Sequence, residues 1–411
     1  MKTTLKLLAF LFTVGAAAHA QVEPAATGPG GPPVSGNLKY SFRYSQTAEF
    51  GSSLGDWQTS NVSASVDYAN SKERLPFSLD YGGGYTWTIT GPSYATGLFQ
   101  HLFLSQGVVW RKWNLTASDD VSYRPQAPTT GFSGIAGIGE PIGGSGPSPP
   151  SSQSILTLNT HVVNNVVNGE LEHNLNYATT LSAGGSSELL RYPDNNGLAM
   201  NSQMANAGLT QRLNARNSLT GKYMFSQFSY PDYGFSFMTN SALFGFTRNW
   251  TRKVTTDVSV GPQWTGSSES TVVPSATNVA VNAAVDYHFQ FVSAGLAYNR
   301  GVNGGSGYLL GAESDAVSAN FSREFGRNMN IGLMGSYRRT TGLVNNGVIN
   351  GKFGGVQATR RLGRYLTLFA NYTAMDQSSS AALPVNALSE LLQVIGFGIG
   401  YSPRETHLIK H

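Results

Sequence analysis

Period-two alternation of apolar and polar residues, sustained through stretch after stretch, constrains this chain more than any other feature. Between Met200 and Ser229, Ala205, Ala207, Leu209 and Leu213 share one phase, while Asn206, Gly208, Thr210 and Arg212 share the other. A tight turn at Asn214-Ala215, bracketed by Arg212 and Arg216, follows. The register then resumes, with Leu219, Gly221, Tyr223 and Phe225 against Thr220, Lys222 and Ser226. Successive side chains of a strand point to opposite faces, so this run encodes a hairpin with one apolar and one polar face.

The same pattern starts at Leu38, Tyr40, Phe42 and Tyr44 and returns at Val62, Ala64, Val66 and Tyr68. From Leu75 to Ile89 it holds its phase over about 15 residues, roughly 50 Å at 3.3 Å per residue. Strands of soluble domains average nearer 5–6 residues, whereas a tilted strand crossing a bilayer needs about 9–11 plus its wet ends. A less regular strand is expected at Gly97 to Gly107 and a fifth from Leu115 to Tyr123. Arg124 to Gln153, rich in Gly, Pro and Ser, reads as a long irregular segment, and the phase between Ile155 and Asn168 is ambiguous.

Connections alternate in kind. Short polar or basic turns lie at Asn174 to Asn176, Arg212 to Arg216, Asn249 to Lys253, His288 to Phe291, Phe325 to Asn328 and Leu362 to Arg364. Longer Gly-, Asn- and Ser-rich connections, such as Thr265 to Ala276, Gly301 to Ala312 and Met375 to Ser389, separate them. The final strand sets Ile395, Phe397, Ile399 and Tyr401 against Gly396, Gly398 and Gly400. Counting predicts an all-β, up-and-down antiparallel barrel of about 18 strands, or 16 if a pair within residues 154–190 is miscounted.

The first twenty residues have the form of a signal peptide: Lys2 and Lys6, an apolar core from Leu7 to Val14, and Ala18-His19-Ala20 before Gln21. The mature chain is therefore expected to be exported. Residues 21–36, with Pro24, Pro29, Pro32 and Pro33, read as a flexible leader, 37–403 as the barrel and 404–411 as a periplasmic tail. Cysteine is absent and charged residues are 12% of the chain, which suits a sheet wet on one face and greasy on the other. A formal charge of +4, part of it in the signal peptide, gives no support to nucleic-acid binding.

These features together resemble a Gram-negative outer-membrane β-barrel of porin-like type. The resemblance rests on the signal peptide, the alternating strands, the paired-Arg turns and the closing strand, over roughly residues 37–403. One departure is the continuation past Tyr401 through Ser402 to His411, since such barrels often end on an aromatic residue. The resemblance implies an outer-membrane location, short periplasmic turns and longer extracellular loops. It also implies outer-membrane lipids, the barrel-insertion machinery and small hydrophilic solutes as partners. Trp110, Trp113, Trp250, Phe289, Phe291, Phe325 and Tyr365 flank the short turns, and Tyr44, Trp87, Trp264, Tyr298 and Tyr337 sit near the long loops, as two interfacial belts require.

The polar phase carries Lys39, Arg43, Lys222 and Arg338 together with Asp67, Asp80, Asp120, Glu170, Glu172, Asp257 and Asp286, the candidate pore-lining charges. One reading is a water-filled lumen that weakly prefers cations; another is a charge network that stiffens or plugs the wall. The Arg124–Gln153 segment is the candidate inward-folding constriction. Basic residues at the turns, including Arg74, Arg111, Lys112 and Arg252, either bind anionic headgroups or simply solvate the turns.

No enzyme, cofactor or metal site is expected. The histidines form no convincing metal pair, the Gly-x-Ser-x-Gly nucleophile elbow is missing, and Gly347 to Lys352 lacks the phosphate-loop spacing. The expectation is a passive channel without a preceding plug. A non-conducting structural or partner-binding barrel and, further off, a barrel-embedded hydrolase are the alternatives.

Overall fold

The computed structural model describes residues 37–51, 55–70, 74–91, 96–126, 160–194, 197–267, 273, 275–305, 309–326, 328–344, 347–380, 390–403 and 406–407. The expected signal peptide and leader, residues 127–159 of the long segment, Lys72 and Arg327 lie outside these.

Eighteen long antiparallel strands follow one another around the molecule. They are β1 (Asn37–Phe50), β2 (Trp57–Asn70), β3 (Phe77–Thr90), β4 (Gly97–Val109), β5 (Trp113–Gln126), β6 (Thr160–Asn174), β7 (Thr179–Arg191), β8 (Met200–Arg212) and β9 (Asn217–Tyr230). Then come β10 (Phe235–Asn249), β11 (Val254–Ser267), β12 (Ala276–Phe289), β13 (Val292–Asn303), β14 (Ala312–Phe325), β15 (Met329–Gly342), β16 (Val348–Leu362), β17 (Leu366–Ser379) and β18 (Leu391–Tyr401). Each pairs with its neighbours in sequence, and β18 closes on β1 from Phe42↔Tyr401 to Phe50↔Gln393. A two-residue β19 (Thr406–His407) adds to the start of β1 at Asn37 and Leu38. Closure leaves no sheet edge, so every strand finds partners on both sides.

The strand count settles at 18, because β6 and β7 are the pair whose count was open around residues 154–190. One expectation is corrected. Irregular structure does not begin at Arg124: β5 continues through Gln126, with Arg124↔Val162, Pro125↔His161 and Gln126↔Thr160 in register. Pro125 reads as a strand breaker, but at a strand's end its missing N–H removes only one ladder bond.

The short turns share a local design. In 175–179, 213–217 and 250–254, the first backbone N–H donates to the carbonyl four residues on, at 3.0, 2.9 and 3.0 Å. The second residue, Asn176, Asn214 or Thr251, accepts with its side-chain oxygen from the N–H groups two and three residues ahead, between 2.8 and 3.2 Å. Asn and Thr serve here because a short oxygen-bearing side chain can cap its own turn. Tighter turns use left-handed backbone instead, at Gly326 (φ 63) and Gly363 (φ 71). All these turns lie at one end of the barrel, where β1 also starts and β18 ends.

At the other end, the β7–β8 connection is clipped to β6. Asp194 Oδ2 accepts from the His161 backbone N–H at 3.0 Å and lies 2.6 Å from His161 Nδ1. That backbone N–H, then the imidazole, holds the Asp194 carboxyl below the usual carboxylate range. The sign follows: the clip is fully present above the ordinary Asp value of about 3.9 and is lost as pH falls through the lower folded value. Asp194→Asn is therefore expected to speed protease nicking at residues 192–199 at neutral pH, with the difference from wild type shrinking as pH falls through the folded Asp194 value.

Candidate functional site

The closed ring has two faces, and the register assigns every strand residue to one. Phe42, Val62, Tyr81, Leu102, Phe244, Leu296, Phe321, Leu333, Leu368 and Phe397 all share the outer phase across the pairings. The opposite phase is the inner wall. It carries Ser41 bonded to Ser65 (2.8 Å), Asn61 to Thr86 (2.9 Å), and Ser293 to Ser322 (2.6 Å) across neighbouring strands.

All eleven candidate charges lie on this inner phase, and only some meet. Lys39 of β1 faces Asp67 of β2 in register, Asp67 faces Asp80 of β3, and Arg43 lies one inner position but one from Lys39. Both Lys39 and Asp67 are buried. Glu170 and Glu172 stand on successive inner positions of β6, the latter accepting from Asn114 Nδ2 at 3.3 Å. Asp120 of β5 lies 3.1 Å from His101 Nε2, an inner-wall partner that the sequence reading did not assign to it. Asp257 of β11 accepts from Thr247 Oγ1 at 2.5 Å. Lys222 on β9, Asp286 on β12 and Arg338 on β15 stand opposite Gly208, Gly295 and Gly351 respectively.

Three further carboxylates lie on the inner phase: Glu49 on β1, Glu188 on β7 opposite Val166, and Glu324 at the short-turn end of β14 opposite Asn330. Among the described inner side chains of β2 to β7 there are Asp67, Asp80, Asp120, Glu170, Glu172 and Glu188 and neither Lys nor Arg. Among the described side chains, the wall's cations lie elsewhere, on β1, β8, β9, β15 and β16. Charge is thus segregated around the ring, with an acidic sector about a third of the circumference wide.

The inner wall changes character along the axis. On β11, Thr265 and Gln263 near the long loops are buried, whereas Asp257 toward the short turns is exposed; on β14, Ser314 is buried and Ser318 and Asn320 are exposed. At the long-loop end an apolar cluster fills the mouth. It joins Val162, Leu190, Met200, Phe228, Tyr230, Phe235 and Phe237 of β6 to β10 with Ala312 of β14 and Ile349 of β16. Phe228 and Phe237 stack at 4.9 Å, and Tyr230 and Phe235 at 5.9 Å.

The connection from β13 to β14 seals this cluster. Tyr230 Oη donates to the Gly304 carbonyl at 2.8 Å, and the Val302 N–H donates to Gln263 Oε1 at 2.9 Å. A Cβ at Gly304 would strike Met200 and Phe228; one at Gly311 (φ 80) would sit 2.8 Å from the Phe237 ring. Backbone therefore lies flat against the β8–β10 wall, which only glycine permits at these two points. The expected constriction, Arg124 to Gln153, falls mostly outside the described residues.

The outer wall is greasy and exposed: Phe244 shows 72% of its surface and Phe397 56%. Water does not tolerate such a belt around a whole molecule, but hydrocarbon does. Aromatic rows bound it. Near the short turns, Arg248 sits over Trp250 at 3.9 Å, Lys253 over Phe289 at 3.3 Å and Arg323 over Phe325 at 4.8 Å. Toward the long loops, tyrosine hydroxyls bond to a polar outer residue close by: Tyr44 with Gln46 (2.7 Å), Tyr223 with Asn240 (2.6 Å), Tyr298 with Asp315 (2.9 Å), Tyr337 with Asn350 (3.3 Å) and Tyr372 with Gln393 (2.9 Å). Such rings place an apolar body in lipid and a hydroxyl at the wet edge. From Met329 to Tyr337 on β15 the rows stand roughly 20 Å apart after allowing a tilt of about 40°, close to the usual band of about 25 Å.

The chain is a closed antiparallel β-barrel of eighteen long strands. No family model matches it, and no curated protein does. Among solved structures it is similar to Pseudomonas aeruginosa OccK2 (OpdF), at 11% identity and a TM-score of 0.46 over 90% of this chain and 98% of that one. It is similar also to Pseudomonas aeruginosa OpdQ (10% identity, TM-score 0.44, 89% and 98% covered) and Acinetobacter baumannii OccAB3 (8%, 0.45, 89% and 99%). The barrel assignment rests on the chain's own strand closure and on its two faces.

The outer belt makes a direct prediction. Phe397→Arg, on the lipid phase of β18, is expected to cost about 2–4 kcal/mol in barrel stability. Ser318→Arg, on the exposed inner phase of β14, is expected to cost little. Reversible urea unfolding in lipid vesicles compares the two, and equal losses would refute the assignment of faces.

Proposed function

We propose that this protein is an outer-membrane channel that lets small hydrophilic solutes or ions diffuse passively through its lumen, with a weak preference for cations. One observation carries the reading: a closed ring of eighteen strands whose inner phase is Ser, Thr, Asn, Gly and charged residues. Eight strands leave room only for their own side chains, whereas 16–18 enclose water. The acidic sector of β2 to β7 supports the cation preference, because fixed carboxylates along a wall attract mobile cations. Outer-membrane residence, export by the signal peptide, contacts with outer-membrane lipids and insertion by the barrel-assembly machinery belong to the same proposal.

The apolar mouth cluster supports a second reading, a barrel closed at its long-loop end that presents its loops to partners. Liposome swelling separates the two. Vesicles containing the purified protein should swell in small neutral sugars, with rates falling steeply as solute size rises. Vesicles with folded protein that swell no faster than empty ones would favour the closed barrel.

A further inference from the structure

We propose that the short-turn rim between β7 and β10 binds a small, soluble phosphate ester in its doubly charged form. A recess of about 360 Å³ opens there, bounded by the 175–179 and 213–217 turns and the adjoining ends of β7 to β10. Its strand residues Thr180, Thr210, Arg212 and Ser218 share the inner phase with Ser182, Gly208 and Lys222. The recess therefore belongs to the watery side of the wall and not to the lipid side.

Two guanidiniums line it from the two arms of one turn. Arg212 ends β8, and Arg216 comes immediately before β9. Arg212 Nε donates to the Asn214 carbonyl at 3.2 Å, which leaves both terminal nitrogens for a ligand. Among the described residues, Arg216 makes no side-chain hydrogen bond, ion pair or ring contact. At other turns, Arg248, Lys253 and Arg323 lie over aromatic rings instead. Asn214 commits its side-chain oxygen to the N–H groups of 216 and 217, so its amide nitrogen is left as a further donor.

None of the lining residues is acidic. Along the row that joins Arg212 to Ser218 and Thr247, the next carboxylate is Asp257, three strands or about 14 Å from Arg212 and already accepting from Thr247. Donors thus outnumber acceptors, and the two cations are left without a counter-charge. A phosphate ester brings up to two negative charges and three acceptor oxygens, and guanidinium forks pair with such oxyanions at short range. A single carboxylate would leave one of the two forks unused. The inference concerns the rim and is independent of conduction through the barrel.

The test is calorimetric titration of the full, folded chain in neutral detergent with methyl phosphate. Saturable binding of one ligand per barrel is expected, at least about tenfold tighter than methyl sulfate, which has the same shape and one charge fewer. Affinity should rise about tenfold from pH 5 to pH 7.5, because a phosphate ester loses its second proton near pH 6. Arg212→Gln/Arg216→Gln should lose at least about tenfold in affinity. Arg361→Gln/Arg364→Gln, the pair that brackets the β16–β17 turn, should match the wild type. Heat-modifiable gel mobility confirms folding; if the first double variant does not fold, Arg216→Gln alone should still lose about threefold. Nanodiscs of phosphatidylglycerol and of phosphatidylcholine separate a soluble ester from a lipid headgroup, and affinity should be equal in both. No saturable binding, equal affinity for methyl sulfate, wild-type affinity in the folded Arg212/Arg216 variants, or binding lost in phosphatidylglycerol would overturn the proposal.

Discussion

Deleting residues 305–310 is expected to raise single-channel conductance at least about twofold, because current through a watery pore is set by its narrowest section. The described ends of the β13–β14 connection pack on the inner wall at the long-loop end, held by Tyr230 Oη on the Gly304 carbonyl and by glycines pressed on Met200, Phe228 and Phe237. Its removal frees the apolar cluster that joins β6–β10 to β14 and β16. The strands themselves stay paired, since β13 and β14 keep their register from Val292↔Arg323 to Asn303↔Ala312. Tyr230→Phe should give a smaller rise and more frequent switching between levels, because it removes the hydroxyl that holds the backbone at Gly304 and Gly311 while keeping the ring. A deletion variant with wild-type conductance would place the narrowest section elsewhere.

Neutralising the acidic sector is expected to abolish or invert selectivity. In Asp80→Asn/Asp120→Asn/Glu170→Gln/Glu172→Gln/Glu188→Gln, five carboxylates disappear while Lys39, Arg43, Lys222 and Arg338 remain on the inner wall. The reversal potential in unequal salt should move through zero toward the anion side. The shift should shrink in concentrated salt, since the Debye length falls from about 10 Å at 0.1 M to 3 Å at 1 M. Removing Asp257 and Asp286 instead, which lie on the opposite arc near the short turns, is expected to do less. A reversal potential indifferent to all five substitutions would mean that ions do not pass along this wall.

Much of the fold was legible because its physics is local. The 200–229 hairpin forms with its Leu209 and Phe225 face outward and its Thr220 and Lys222 face inward, as period two demands. Turn chemistry was equally readable, since Asn176, Asn214 and Thr251 cap bonds only two and three residues away. The acidic side chains fell on the polar phase for the same reason. Legibility ended where packing joins distant residues.

Gly304 and Gly311 look like ordinary loop glycines, and only Met200, Phe228 and Phe237, far away in sequence, make them necessary. On β4, Phe99 and Phe103 turn inward against the polar rule; Phe99 lies over Gly84, a cross-strand fit that alternation alone does not show. Asp119 sits on the greasy phase, where it accepts from Asn165 of the neighbouring strand, a pair that shows only once the β5–β6 register is known. His101 could be matched to Asp120 only once the β4–β5 register was known, because they are diagonal rather than directly opposed.

The most direct test of a water-filled lumen is electrical. Purified, folded protein added to a planar bilayer in potassium chloride should produce discrete conductance steps, and a salt gradient should give a reversal potential on the cation side. Protein shown to be inserted by its heat-modifiable mobility, yet giving no steps at any voltage, would contradict the channel.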